Sequence, residues 1–210
     1  MPVSRTKRYT IEDIEPAATM LKKGGLVALP TETVYGLAAD AENSGAVILL
    51  FEIKQRQREQ LLSVLVTGMK MVENYCQNIP AAAYALAEKY WPGPLTMILE
   101  DKGVVSALVN DGGDTLGVRC PDHPVTMAVI EKSGHALAAP SANITGQPSP
   151  KTAQEVLDYF DNHIEGILDG GPCQLGVEST IVDLTGEGPK ILREGAIPGQ
   201  EILAFLEGLG

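Results

Sequence analysis

The stretch Gly24-Gly25-Leu26-Val27-Ala28-Leu29-Pro30-Thr31-Glu32-Thr33-Val34-Tyr35-Gly36 contains a helix end, a buried strand and a polar loop in succession. Upstream of it, Ile14, Ala17, Ala18 and Leu21 recur at helical spacing, and the glycine pair supplies the positive-φ residue that commonly ends a helix. Pro16 leaves the start of that helix open. Leu26 to Leu29 is a short apolar run stopped by Pro30 and reads as a buried strand.

The same alternation continues outward. A second helix is expected from Ser44 as N-cap, with Val47, Leu50 and Phe51 on its buried face, ending around Lys54. Leu61 to Val66 reads as a strand. Pro80 to Tyr90 reads as an alanine-rich helix closed by Trp91-Pro92-Gly93-Pro94. Further strands are expected at Leu95 to Leu99, Leu116 to Arg119, Ala136 to Ala139, Gly166 to Leu168, Thr180 to Leu184 and Lys190 to Leu192. Ser149-Pro150 makes an N-cap and N1 pair for a helix carrying Ala153, Val156, Leu157 and Phe160, and a last helix runs from Gly199 to Leu206. Helices interspersed with strands argue an α/β sheet with helical cover over a bundle or a sandwich.

With 210 residues and 44% hydrophobic content, the chain has ample material for a packed core. No internal repeat, low-complexity tract or Ser/Pro-rich linker divides it, so residues 1–210 read as a single domain. Lys and Arg number 16 against 27 Asp and Glu, a net charge of −11. That balance disfavours a dedicated high-affinity nucleic-acid binder, because clustered cations supply most of the nonspecific binding energy, while a local basic pocket stays compatible with it. Cys76, Cys120 and Cys173 lie far apart without Cys-x-x-Cys spacing, so neither a disulfide framework nor a zinc knuckle is written, and a reducing, cytoplasmic setting fits. Arg5, Lys7 and Arg8 are followed by Glu12, Asp13 and Glu15 and not by an apolar core, which argues against a signal peptide. No apolar run reaches the roughly 18–20 residues a membrane helix requires, so no membrane partner is expected.

Three polar segments follow apolar strands directly: Pro30 to Gly36, Arg119-Cys120-Pro121, and Pro140-Ser141-Ala142-Asn143. In open α/β sheets such loops converge on a ligand crevice, so these share one site if their strands point the same way. Taken singly, each reads as an ordinary turn. Lys54 and Arg56 fall where the second helix ends. There the helix dipole favours cations without any ligand, and there an ammonium and a guanidinium could also hold phosphate or carboxylate oxygens. Arg58 belongs to a solvated stretch from Gln55 to Gln60. A hairpin between the last two strands would bring Ser179 close to Arg193, itself otherwise a surface ion-pair residue for Glu194 or Glu187. No Walker loop, dinucleotide fingerprint or Gly-x-Ser-x-Gly elbow occurs. His123, His135 and His163 lack metal or triad pairing and read as surface or structural residues.

Taken together, the segments resemble the YrdC/Sua5 family of threonylcarbamoyl-adenylate synthases. The resemblance runs through Leu26 to Leu37, Lys54-Gln55-Arg56, Trp91 to Thr96, Gly117 to Pro121, Ala139 to Asn143, Val177 to Asp183 and Leu192 to Gly195, in the family's order over nearly the whole chain. It implies a twisted open α/β sheet with helical cover and a large concave cavity. It also implies an enzyme joining L-threonine, bicarbonate or CO₂, and ATP into threonylcarbamoyl-adenylate and pyrophosphate, a nucleotidyltransferase feeding the t⁶A modification of tRNA.

Carried over residue by residue, the family's motifs make Lys54 and Arg56 catalytic. They place ATP on Lys54, Arg56, Ser141, Asn143, Ser179 and Arg193, and threonine on Thr31, Thr33 and Arg119. Mg²⁺ is expected on the triphosphate, held mostly by phosphate and water, with Glu32 and Glu178 as nearby carboxylates; Glu178 reads equally as a strand-end residue capping local backbone. Implied partners are ATP, L-threonine, bicarbonate and the downstream tRNA-modifying machinery, with direct tRNA binding left open. Longer members carry a C-terminal extension, and this chain stops soon after Arg193. It departs from the family at Gln57, at Leu61-Leu62 and at Leu65, where many members have Pro, a Pro-Leu pair and a downstream His. The competing reading is a noncatalytic RNA-binding module using the same concave surface.

Overall fold

The computed structural model describes residues 5–57 and 60–209, so Arg58 lies outside the described residues. In chain order the elements are β1 (Lys7–Tyr9), α1 (Ile14–Lys22), β2 (Val27–Leu29), β3 (Gly36–Asp40), α2 (Ser44–Lys54), β4 (Ser63–Leu65), α3 (Met69–Tyr75), β5 (Cys76–Gln77) and α4 (Ala81–Tyr90). There follow β6 (Leu95–Asp101), β7 (Thr115–Arg119), α5 (Pro124–Ser133), β8 (Leu137–Ala138), α6 (Ala153–Phe160), β9 (Gly166–Leu168), β10 (Thr180–Asp183), β11 (Lys190–Arg193) and α7 (Gly199–Glu207). The strands form one mixed sheet in the order β1-β9-β2-β3-β8-β4-β7-β6-β10-β11, with β5 on the flank of β6.

The two faces of this sheet are treated differently, and that difference makes the cavity. One face carries Ala28, Leu37, Val64, Met97, Val118 and Val182, all fully buried, and packs in one continuous core with residues of α2, α3, α4, α6 and α7. On the other face a smaller core joins Val27, Leu29, Ala38, Leu65 and Leu137 to Ala17, Ala18 and Leu21 of α1 and to Val129 and Ile130 of α5. That cover spans β1, β9, β2, β3 and β8 and ends at Leu65 of β4. Among the described residues, no side chain of β7, β6 or β10 belongs to this smaller core. Those strands accordingly alternate: in β6, Leu95, Met97 and Leu99 enter the large core while Thr96, Ile98 and Glu100 face the open side.

The helix starts show how local chemistry sets register. Pro16 falls in the first turn of α1, where its missing N–H has no helical acceptor in any case. The N-cap of α2 is Asn43 and not Ser44: Asn43 Oδ1 accepts from Gly45 N at 3.0 Å and Ala46 N at 3.2 Å, while Ser44 Oγ lies 2.9 Å from Ser106 Oγ. Helix α6 begins at Ala153 and not at Pro150. Thr152 caps Glu155 N at 3.2 Å and the Glu155 carboxylate returns to Lys151 N, a Thr-x-x-Glu arrangement that outcompetes Ser149-Pro150. The sequence patterns above do not mark strands β1, β3 and β5 or helices α3 and α5; β3 is poor in large β-formers, and Pro124 at the start of α5 marks its N1 position.

Asn43→Ala removes the cap of the helix that ends in Lys54, and should lower the unfolding free energy by about 1 kcal/mol in urea titrations, with the m-value unchanged.

Candidate functional site

Strand register places five side chains in one row across the uncovered half of the sheet. Arg193 pairs with Ile181, Ile181 with Thr96 and Arg119 with Leu65. Met97 opposite Val118 in an antiparallel pair puts Thr96 beside Arg119. All five line one cavity of about 290 Å³, together with Ser63 and Ser179 two residues along their strands. The rest of the wall comes from loops: Thr31, Thr33, Val34 and Gly36; Arg56, Leu61 and Leu62; Ala139, Pro140 and Ser141; and Glu178. A second hollow of about 260 Å³ continues along the same face over Ile98, Gly117 and Asp183, sharing Leu61, Leu62, Ser63 and Ile181 with the first. Gly117 keeps it open, since a Cβ there would lie 2.8 Å from Ser63 Oγ and 3.2 Å from Ile98 Cδ1.

The three polar segments therefore meet, though not by pointing the same way. β2 is antiparallel to β3, β3 to β8 and β8 to β4, whereas β4 is parallel to β7. β7 thus runs opposite to β2 and β8. The site lies on the sheet's face, and the 30–36 loop reaches across to it. The contact is direct: Arg119 Nη2 donates to Glu32 Oε1 at 2.6 Å and Arg119 Nε to Gly93 O at 3.3 Å, while Glu32 Oε2 accepts from Asp122 N at 3.1 Å. Both partners are buried. Burial pulls the Arg119 pKa down, and the Glu32 carboxylate opposes that pull. Glu32, unassigned as an arginine partner from sequence, is what holds the loop to the strand. Thr31 Oγ1 donates to Val34 O at 2.6 Å and accepts from the amides of Thr33 and Val34, both at 3.2 Å, so it shapes its own turn. Thr33 Oγ1 lies 2.8 Å from it.

The expected hairpin between β10 and β11 brings Ser179 and Arg193 together. Arg193 donates to Ser179 O from Nε at 3.0 Å and from Nη2 at 2.8 Å, to Ser179 Oγ at 3.0 Å, and from Nη1 to Glu178 Oε2 at 2.6 Å. Its ion-pair partner is thus Glu178, not Glu194 or Glu187. Thr96 Oγ1 is 2.8 Å from Ser179 Oγ; alternation in Leu95 to Leu99 puts Thr96 on the open face, and the pairing of β6 with β10 makes the contact. Gly195 packs against this knot so tightly that a Cβ would lie 2.4 Å from the Ser179 carbonyl carbon.

Lys54 and Arg56 diverge. Gln55 between them takes a left-handed conformation, φ 52°, that closes α2. Arg56 comes out on the cavity wall, where Nε donates to Gln60 O at 2.8 Å and Nη2 to Leu61 O at 2.9 Å; burial lowers its pKa, with Glu178 raising it and Arg193 lowering it. Lys54 points the other way, into the protein, 1% exposed. Its ammonium donates to the carbonyls of Ser141 and Asn143, behind the loop whose Ser141 lines the cavity. Burial, with the Arg56 charge adding, pushes its pKa down to about 7 despite Glu178. The sequence did carry a signal for this. Val47, Leu50 and Lys54 recur at 0, 3 and 7, so Lys54 continues the buried stripe of α2. Asn143 is also buried, and both of its amide hydrogens are taken, by Ile144 O at 2.9 Å and Gln147 O at 2.7 Å.

Glu32 and Glu178 each hold an arginine, and Glu178 Oε1 also accepts from Ser149 Oγ at 2.9 Å. Among the described residues no three His, Cys, Asp or Glu side chains gather as a metal site. Both carboxylates are thus engaged with arginine side chains. Burial pushes the Cys120 thiol up to about 11, so it stays protonated at neutral pH. His163 is exposed, His135 Nδ1 lies 2.9 Å from Glu42 Oε1, and His123 packs by Gly170. No helix of the described residues is long and apolar enough to cross a membrane.

Residues 19–195 match the family model Sua5_yciO_yrdC, described as telomere recombination. The chain is 44% identical over 197 residues to a threonylcarbamoyl-AMP synthase of Pyrococcus abyssi, covering 93% of this chain and 58% of that protein. It is 39% identical over 213 residues to one of Bacillus subtilis, covering 96% and 62%. The chain thus spans less than two thirds of the length of these relatives. Among solved structures, P. abyssi Sua5 complexed with L-threonine superposes with a TM-score of 0.92 at 40% identity, covering 97% of this chain and 61% of that one.

Arg119→Met should lower the unfolding free energy by about 3–5 kcal/mol, since it leaves a buried carboxylate unpaired, and adding Glu32→Leu should restore part of the loss. Urea unfolding of both variants measures this, and a double variant less stable than Arg119→Met would refute the buried pair.

Proposed function

The chain belongs to the Sua5/YciO/YrdC family, and on that premise we propose that it joins L-threonine, bicarbonate or CO₂, and ATP into L-threonylcarbamoyl-adenylate with release of pyrophosphate. The observation that carries this reading is a single concave cavity onto which Arg56, Arg119 and Arg193 all project, ringed by the hydroxyls of Thr31, Thr33, Thr96, Ser141 and Ser179. In the adenylation step both reacting partners, the carbamate of threonine and ATP, are anionic. The neutral amine of threonine adds to CO₂ and loses a proton, giving a carbamate. A carbamate oxygen then attacks the α-phosphorus of ATP, forming a new P–O bond as the bond to pyrophosphate breaks. Mutual repulsion of carbamate, carboxylate and triphosphate is the main barrier such a site must lower.

Each unit charge pair at 4 Å in an effective dielectric of 20 contributes about 4 kcal/mol before desolvation, and donors fixed in advance act where charge shifts. Arg56 and Arg193 would face phosphate oxygens, with Ser141 and Ser179 adding neutral hydrogen bonds. Arg119 and Thr33 would seat threonine, Arg119 being held rigid by Glu32. The second hollow, with its apolar Leu61, Leu62, Ile98 and Ile181 lining and its bare Gly117, suits the flat apolar faces of a purine base. Magnesium enters as part of the nucleotide substrate. Leu65 stands in the row beside Arg119, so the amino-acid end of the cavity is apolar at that point. The product would pass to the machinery that transfers the threonylcarbamoyl group to tRNA. The thiols, free among the described residues, support placement in the cytoplasm.

Purified protein given ATP, threonine, bicarbonate and magnesium should release pyrophosphate only when threonine is present. Release indifferent to threonine would sink the synthase reading, and an RNA-binding module would become the better one. Arg56→Ala should cut adenylate formation by at least about 100-fold while the melting temperature stays within a few degrees; near-normal turnover would show that Arg56 does not handle the nucleotide.

A further inference from the structure

The 140–147 segment is tied down from two sides. On its outer side Ala142 N donates to Tyr35 O at 2.7 Å, and Leu37 N to Pro140 O at 2.8 Å, so it is stitched to the loop bearing Thr31 and Thr33. On its inner side lies Lys54, whose ammonium holds the carbonyls of Ser141 and Asn143 while its own carbonyl accepts Thr145 N at 3.0 Å. Asn143 continues the bracing with its two amide hydrogens on Ile144 O and Gln147 O. Of Lys54, Ser141 and Asn143, Ser141 alone lines the cavity.

We infer that Lys54 and Asn143 serve the reaction from behind as positioning residues, their hydrogen bonds to the 141–147 backbone presenting Ser141 to the substrates. This rests on the synthase reading for its kinetic consequences but not for its structural ones. Lys54 carries no carboxylate partner among the described residues within ion-pair distance, so the two carbonyl dipoles are what compensate its buried charge. The contact works in both directions. Without the ammonium, two inward-facing carbonyls lose their donor and the segment has reason to rotate. Without the segment's carbonyls, the ammonium has no place in the core. A lysine serving as a point charge for phosphate would instead need its Nζ on the cavity wall, the position Arg56 takes.

The test compares Lys54→Met, Lys54→Arg, Ser141→Ala and the Lys54→Met/Ser141→Ala double variant. In ligand-free protein, amide hydrogen exchange over residues 141–147 should speed up at least tenfold in Lys54→Met, with the central strands still protected. Unchanged exchange there, combined with lost activity, would assign Lys54 to direct substrate contact and overturn the proposal. In threonine-dependent pyrophosphate release, the double variant should be no slower than the slower single variant, because both changes remove one function. Multiplicative losses would overturn the proposal as well. Should Lys54→Met fail to fold, Lys54→Arg keeps the question open to measurement: its guanidinium can still reach carbonyls but not with the ammonium's geometry, so a reduced kcat with KM for ATP within threefold of wild type is the supporting result, and a raised KM at unchanged kcat the contrary one. A wild-type protein inactive in the assay would refute the synthase reading while leaving the exchange experiment intact.

Discussion

A β-sheet has two faces, and each must be covered by protein or made polar enough to meet water. Here one face is covered throughout by five helices, while α1 and α5 cover just half of the other. The remaining half follows from that shortage. Its strands, with the residue before β10 and the end of β11, present Ser63, Thr96, Arg119, Ser179 and Arg193 among apolar Leu65 and Ile181 on the open side, and the open side is the cavity. The candidate site and the gap in helical cover are one feature.

A cavity floored by a sheet has precise but limited chemistry, since strand side chains stand in fixed rows. The row from Arg193 to Leu65 places two guanidinium groups on one line with a threonine hydroxyl between them. Loops then bring what strands cannot. Arg56 arrives from a helix end, Ser141 from a braced segment, and the two threonines from a turn locked to the sheet by Glu32 and Arg119. Each arginine is fixed by protein acceptors, Arg119 by a buried carboxylate, Arg193 by Glu178 and the Ser179 carbonyl, Arg56 by two backbone carbonyls. Such groups lose little freedom when substrates arrive, which is the condition for preorganised electrostatics to lower a barrier.

Much of this was legible in the chain. Leu26 to Leu29 as a buried strand, the helix ending at Lys54 and the β10–β11 hairpin that unites Ser179 with Arg193 all follow from local patterns. The convergence of the 30–36, 119–121 and 140–143 segments does not. Local patterns predict it only for strands that point the same way, whereas β7 runs against β2 and β8 and the segments meet on the sheet's face. The residue types of Lys54 and Asn143 suit anions, yet neither side chain lines the cavity. The helical stripe Val47, Leu50, Lys54 points inward, and that periodicity decides where the ammonium lies.

Sequence alone determined which residues are available to the site, because charge, hydroxyl content and the punctuation by Pro and Gly are properties of the chain and its nearest neighbours. It also determined the element types wherever one periodicity dominated a stretch. Only the tertiary structure decided which of those residues face the cavity, which hold other residues in place, and which neutralise one another. Those outcomes turn on strand order, on register between distant segments and on one left-handed residue at Gln55, and each depends on packing energies shared by parts of the chain up to about 160 residues apart, as in the pairing of Lys7 with Gly166.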